Sequence, residues 1–242
     1  MEFLFELNWF AVGQIILIDI LLGGDNAIVI ALACRNLPSH LRMKGILWGT
    51  FGAIAIRIVL IAFAVTLLKM PFLKLLGGLL LLWIGVKLLA EDDEAHDNVQ
   101  ASDRLLSAIK TIVVADLVMS IDNVIAVASA AEQAGGQHQM ALVVFGIAVS
   151  IPIIVWGSTI VLKLMERLPV IITLGAGLLG YIAGGMIFSD VALTPWLQEN
   201  LPYQAVTLPG LGFQVSIPGM VGAIGVIVVG HWLVRRQEPD AK

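Results

Sequence analysis

Long apolar stretches dominate the chain, separated by short polar segments. They cover residues 9–34, 45–68, 71–89, 107–131, 140–162, 169–188 and 218–234. Six run to roughly 20 residues or more and the last to about 17, near the length that carries a helix across a bilayer. In lipid every backbone N–H and C=O must find a partner within the protein, which selects helices over open strands. The pattern therefore predicts an all-α polytopic membrane protein, a single transmembrane domain over 1–242 with seven transmembrane helices. Glu2 and Glu6 precede the first stretch without any Lys or Arg, so it is not a cleavable signal peptide.

Basic residues orient the spans. With the N-terminus outside and the C-terminus in the cytoplasm, the inner side collects Arg35, Arg42, Lys44, Lys87, Arg104, Lys110, Lys163, Arg167, Arg235, Arg236 and Lys242, leaving only Lys69 and Lys74 outside. The cytoplasmic loop 90–106 carries the run Glu91, Asp92, Asp93, Glu94 with His96 and Asp97. Such a run is ordinarily solvated; its functional use would be a cation-gathering vestibule or a regulatory metal site. The outer loop 189–217, with Pro195, Trp196, Pro202, Tyr203, Pro209 and Phe213, is expected to fold at the interface with its aromatics at headgroup depth.

Composition agrees: 59% hydrophobic and 13% charged residues are far from the average soluble domain. A net charge of -4 without a basic patch argues against a nucleic-acid partner, and the lone Cys34 excludes a disulfide framework.

The chain also repeats itself. IILIDILLGGDNAIVIALA at 15–33 aligns without a gap on IVVADLVMSIDNVIAVASA at 112–130, superposing Asp19 on Asp116, Asp25 on Asp122, Asn26 on Asn123 and Ile28 on Ile125. Pro71 matches Pro169, and Leu76, Gly77, Leu80, Leu81 and Ile84 recur as Leu174, Gly175, Leu178, Leu179 and Ile182. Repeat one thus spans about 9–89 and repeat two about 107–188, with the seventh helix at 218–234 left over. Three spans per copy invert the second copy relative to the first. Inverted repeats characterise secondary transporters, whose substrate lies near the midplane where the copies meet.

Asp19 and Asp25 straddle the middle of the first span, and Asp116 and Asp122 that of the fourth. A carboxylate at that depth costs about 2.5–3.5 kcal/mol, so four cost roughly 10–14 kcal/mol unless something binds, pairs with or protonates them. At about 100° per residue Asp19 and Asn26 share a helix face, whereas Asp25 points about 100° away from Asn26. Gly23-Gly24 is a place where the first span can loosen and re-aim Asp25, although such pairs also serve close packing. Carboxylates and amides are hard ligands suited to Mg²⁺, Mn²⁺ or Ca²⁺. Met119, near Asp116, is either a packing residue or a thioether favouring the softer Mn²⁺. His40, His96, His138 and His231 sit at span ends or in loops, which disfavours a buried imidazole site.

Arg57, in mid-span two, must face the interior and pair with one of the aspartates. Four carboxylates, one Arg and one divalent ion leave a charge of -1, which a proton would cancel; export of the cation coupled to proton entry fits that balance. Near the position matching Arg57 stand Ser150 and Pro152, where a kink is expected. GMVGAIGVIVVG in the seventh span suits close helix contact, with a homodimer as one use, and that span is expected at the periphery.

LLGGDNAIVIALACRNLP from Leu21 and DLVMSIDNVIAVASA from Asp116 resemble the paired Asp-Asn signatures of the TerC family, bacterial membrane proteins grouped with LysE-type exporters. The resemblance covers spans one to six. It implies a multi-pass protein of the bacterial cytoplasmic (inner) membrane that exports Mn²⁺, with Asp19, Asp25, Asn26, Asp116, Asp122 and Asn123 at the metal site and Met119 and Arg57 as auxiliaries. No cofactor is expected; Mn²⁺ enters as substrate, and the chain is not expected to be an enzyme. Tellurite, from which the family takes its name, is an anion that four aspartates would repel. Two other readings stand beside this one: a non-transporting assembly subunit, and an intramembrane aspartyl protease, whose Gly-x-Gly-Asp pattern differs from Gly-Gly-Asp-Asn and Ser-Ile-Asp-Asn here.

Overall fold

The computed structural model describes residues 9–67, 69–90, 100–133, 139–201, 205–207 and 214–237. Its helices are α1 (Trp9–Cys34), α2 (Ser39–Ala62), α3 (Ala64–Leu67), α4 (Leu73–Ala90), α5 (Ala101–Gln133), α6 (Gln139–Arg167), α7 (Val170–Phe188), α8 (Thr194–Asn200) and α9 (Ile217–Gln237). The protein is mostly helical. Among the described residues five segments are long and apolar enough to cross a membrane: Ser39–Ala62, Leu73–Ala90, Gly146–Arg167, Val170–Phe188 and Ile217–Arg236. The stretches expected as the first and fourth spans are helices of 26 and 33 residues, α1 and α5. The second span begins earlier than its apolar run, because Pro38 stands at its N-cap, where a fixed φ and a missing N–H cost a helix nothing.

One departure from an all-helical chain lies in the segment 189–217. β1 (Ala205–Thr207) and β2 (Gln214–Ser216) pair antiparallel, Val206 opposite Val215. The Ser216 N–H donates to the Tyr181 hydroxyl of α7 at 3.1 Å, fixing the hairpin to that helix. Trp196 on α8 is exposed, whereas Tyr203, Pro209 and Phe213 lie outside the described residues, as do 91–99 of the acidic loop.

The chain forms two compact units that do not follow the repeat boundaries. The first holds α1, α2, α3, α5 and α6 up to Lys163. Its core comprises Ile30, Cys34, Leu37, Ile46, Ala53, Ala108, Ile112 and Ile154. α2 and α5 run parallel: a Cβ on Gly45 would meet Leu105, one on Gly49 would meet Ile112, and Arg57 reaches Asp116. Arg42 closes the turn between α1 and α2, donating from Nε to the Leu37 carbonyl at 3.0 Å and from Nη2 to that of Arg35 at 3.1 Å. A cation at a helix C-terminus satisfies carbonyls the helix itself leaves open.

The second unit joins α4, α7 and α9 with α8 and the hairpin. Its helices touch backbone to backbone. A Cβ on Gly184 would collide with the Pro218 carbonyl, one on Gly180 with Gly222, and one on Gly78 would lie 2.8 Å from the Ala183 carbonyl. Glycine permits that approach where apolar helices gain little from merely leaving lipid. α9 packs closely on α7 and α4, with Val226 buried against Gly85, while Met220, Val221, Ile224, Val228 and Trp232 on its other side stay exposed. Gly219, Gly222 and Gly230, read from sequence as a means of self-association, face Tyr181, Gly180 and Leu89 of the same chain. At matching ends of the parallel α4 and α9, Lys87 lies over Trp83 at 5.5 Å and Arg236 over Trp232 at 3.8 Å, a cation–π arrangement suited to a membrane interface.

Asp190, just past α7, is fully buried and caps α4. Its Oδ1 accepts from the Phe72 N–H at 3.0 Å and the Ala192 N–H at 2.9 Å, and its Oδ2 from the Leu75 N–H at 3.1 Å. Phe72 has φ 64, a costly conformation for a bulky side chain, held where its N–H meets this carboxylate. Burial alone would raise the Asp190 pKa, but backbone N–H groups of Ala192, Leu75, Phe72 and Lys74 outweigh it and hold the carboxyl below its usual value.

Two stability predictions follow from these contacts, both read by thermal unfolding in detergent. Gly184→Leu is expected to cost about 1–3 kcal/mol or to prevent assembly of the unit, whereas Gly225→Leu, with open space around its Cβ, leaves the midpoint unchanged. Asp190→Ala is expected to cost about 1–2 kcal/mol at neutral pH, as loss of a helix cap does. Because the folded pKa is lowered, the ionised cap stabilises fully above pH 3.8, and the difference from wild type shrinks as pH falls below that value.

Candidate functional site

The two Asp-Asn motifs lie on α1 and α5, and these helices are antiparallel. Asn26 and Asp116 line one cavity with Val29, Ile30 and Ile112, while Cys34, further along α1, sits with Leu105, earlier on α5, beside Gly45. Opposite chain directions put Asn26 of the first motif level with the leading aspartate of the second. The cavity measures about 10 Å³, room for roughly one water-sized guest.

α1 runs unbroken through Gly23-Gly24, so the glycines do not open it, and nothing lies within 4 Å of a Cβ on Gly24. The loosened helix expected from sequence is absent because each helical hydrogen bond there is made by the backbone, and glycine removes only a side chain. Asp25 and Asn26 consequently diverge by about 100°. Asn26 turns inward, 4% exposed, and Asp25 is half-buried.

Asp116 occupies a closed arrangement. The Arg57 Nη2 donates to its Oδ1 at 2.5 Å, the Ser120 hydroxyl donates to its Oδ2 at 3.0 Å, and the Arg57 Nε donates to the Ser120 Oγ at 3.0 Å. Arg57, Asp116 and Ser120 are 2%, 5% and 0% exposed. The helices allow this reach because Gly49 and Gly52 of α2 rest on Ile112 and Val113 of α5. Ser120 follows Asp116 by four residues, one helical turn, which aligns its hydroxyl with the carboxylate. Among the aspartates whose side chains are described, Asp116 pairs with Arg57.

Other buried polar atoms near this cluster have no hydrogen-bond partner: both amide atoms of Asn26, the Asp25 Oδ1 and the Thr50 hydroxyl. Buried polar groups are nearly always satisfied, so the open Asn26 amide beside Asp116 is a candidate for a partner from outside the chain. Asp25 also lies within Coulombic reach of Arg57 and Asp116. Among the described residues no three His, Cys, Asp or Glu side chains converge. The donors brought together are the Asn26 amide and Asp116, with Asp25 one residue away on the helix.

Met119 is buried and Asn123 half-buried. Asp19 and Asp122 lie in helical backbone, but their side chains are outside the described residues. One member of the Asp116 cluster, Ser120, and one buried hydroxyl of α2, Thr50, were not singled out in the sequence. Ser120 stands four residues after Asp116, and Thr50 seven residues before Arg57 on the same face of α2; helical spacing from a buried charge was the available signal.

A buried charge pair is weak evidence of stability, but breaking it from one side is costly. Asp116→Leu, which strands the Arg57 charge, is expected to destabilise by about 3–5 kcal/mol, and adding Arg57→Leu to recover most of that. Thermal unfolding of the single and double variants checks it; equal losses that simply add would refute the coupling.

Comparison with known proteins agrees with this architecture. Residues 5–238 match the integral membrane protein TerC family. The chain is 46% identical over 184 residues to the uncharacterized membrane protein YjbE of Bacillus subtilis, covering 76% of this chain and 81% of that protein. It is 27% identical over 135 residues to the uncharacterized membrane protein YceF of the same organism, covering 52% of each. It is 31% identical over 140 residues to the UPF0053 inner membrane protein YgdQ of Escherichia coli, covering 48% of this chain and 56% of that protein. No solved structure matches it significantly. With its helices long enough to cross a bilayer several times and the family match extending over nearly its whole length, the chain belongs to the TerC family of multi-pass integral membrane proteins.

Proposed function

We propose that this protein is a secondary transporter that exports divalent metal cations, Mn²⁺ foremost, across the bacterial inner membrane by alternating access between inverted repeats. The observation that carries it is the buried Asn26 amide, both polar atoms without a partner, facing a cavity it shares with the Asp116 carboxylate. Oxygen donors of this kind select hard or borderline divalent cations over soft ones. A cation in the cavity would satisfy Asn26 and draw on Asp25, one residue away; Asp19, Asp122 and Asn123 complete the donor set in the repeat.

The antiparallel run of α1 against α5, and of α4 against α7, supports opposite insertion of like sequences. Seven spans, N-terminus outside, then follow from the basic residues, and the aromatic–cation pairs at one end of α4 and α9 agree with a cytoplasmic face there. The engagement of Asp116 by Arg57 favours a transporter over an aspartyl protease, because a protease dyad needs two carboxyls sharing one proton.

The test is Mn²⁺ flux in proteoliposomes. Wild type is expected to move Mn²⁺ in preference to Ca²⁺ and Mg²⁺ and to slow when the opposing proton gradient is collapsed. Asp25→Asn and Asp122→Asn are expected to lose at least about tenfold in rate, near 1.4 kcal/mol in the barrier. Well-folded protein that passes no divalent ion would sink the proposal.

A further inference from the structure

We propose that Arg57 is a built-in competitor for the transported cation: its guanidinium holds Asp116 while the site is ion-free, and the ion is bound only as that carboxylate is shared or surrendered. The inference rests on the divalent-cation reading above and names the residue that regulates its site.

Among the described residues Asp116 is the carboxylate lining the cavity, and both of its oxygens are already engaged, Oδ1 by Arg57 and Oδ2 by Ser120. Asn26, across the same cavity, has no hydrogen-bond partner among the described residues. The donors a cation would use are therefore unequal, one idle and one occupied by a positive charge. That charge is permanent, since guanidinium does not deprotonate in proteins. It is also fixed in place: Arg57 is 2% exposed, and its Nε is anchored on Ser120, so it cannot withdraw to water. An arriving ion must meet a like charge at the carboxylate it needs.

Two consequences suit a carrier. Repulsion from Arg57 weakens binding, which lets the site release its ion on the far side. After release Arg57 re-engages Asp116, so the empty protein does not leave that buried anion uncompensated in lipid, a costly state. Ser120 acts as a positioning residue, because its hydroxyl both steers Arg57 and occupies the second carboxylate oxygen.

Equilibrium Mn²⁺ binding to detergent-purified protein, followed by loss of the paramagnetic signal of free Mn²⁺, tests this directly. Arg57→Gln is expected to bind Mn²⁺ about tenfold more tightly than wild type while its turnover in proteoliposomes falls. Arg57→Lys keeps the charge and should stay close to wild type in affinity. Ser120→Ala, a small change that leaves the charge pair in place, should bind about twofold to fivefold more tightly and decides the matter if Arg57→Gln does not fold. Unchanged or weaker Mn²⁺ binding in folded Arg57→Gln or Ser120→Ala would overturn the inference and leave Arg57 a structural tie. Absence of binding in wild type would instead overturn the transporter reading, and the competitor role with it.

Discussion

A permanent positive charge enclosed within the first unit constrains everything around it. Arg57 cannot reach water and cannot lose its proton, so a carboxylate must come to it, and Asp116 does so with Ser120 completing the contact. Meeting that demand fixes the register of α2 against α5. It also leaves Asn26, on the antiparallel α1, beside a carboxylate whose charge is already spoken for. The site is therefore defined as much by what Asp116 is doing as by what Asn26 is not.

Close helix approach makes this geometry reachable. Gly49 and Gly52 bring α2 onto α5 in the first unit, and Gly180, Gly184 and Gly222 bring α7 onto α9 in the second. Helices already in lipid gain little from hiding apolar side chains against one another, so backbone contact and polar ties carry more of the association. Asp190 supplies one such tie, fastening the end of α7 to the start of α4 through backbone N–H groups. The units collect corresponding helices of the two repeats: the first and second of each in one, the third of each with α9 in the other.

Much of the fold was legible in the order of residues. Lengths of apolar runs gave helices whose ends mostly lie within a few residues of those observed, because the bilayer selects helix length and lipid forbids unpaired backbone. That Arg57 must pair with one of the four aspartates could be read, since a charge is not tolerable alone at such depth; which one could not. Ser120 and Thr50 were harder: a hydroxyl costs little in a helix and carries no periodic signal unless a neighbouring charge is taken as the origin. The hairpin Ala205–Thr207 with Gln214–Ser216 was missed because each strand is only three residues long and shows too little alternation to register. The glycine pair at Gly23-Gly24 misled, because sequence cannot distinguish a glycine that breaks a helix from one that merely leaves its surface bare.

By itself the sequence determined that the chain lives in a membrane, that it is helical, that it carries the same Asp-Asn motif twice, and that its buried carboxylates must be bound, paired or protonated. Those follow from hydropathy, length and charge, which are properties of residues in order. Only the tertiary structure decided which helices meet, that Arg57 takes Asp116, and that Asn26 is the amide left without a partner. The physical reason is that a transmembrane helix is apolar on the face toward lipid and on the face toward protein alike. Hydropathy therefore cannot show which side is buried, and the register that brings one charge to another is set by glycine contacts between segments far apart in the chain.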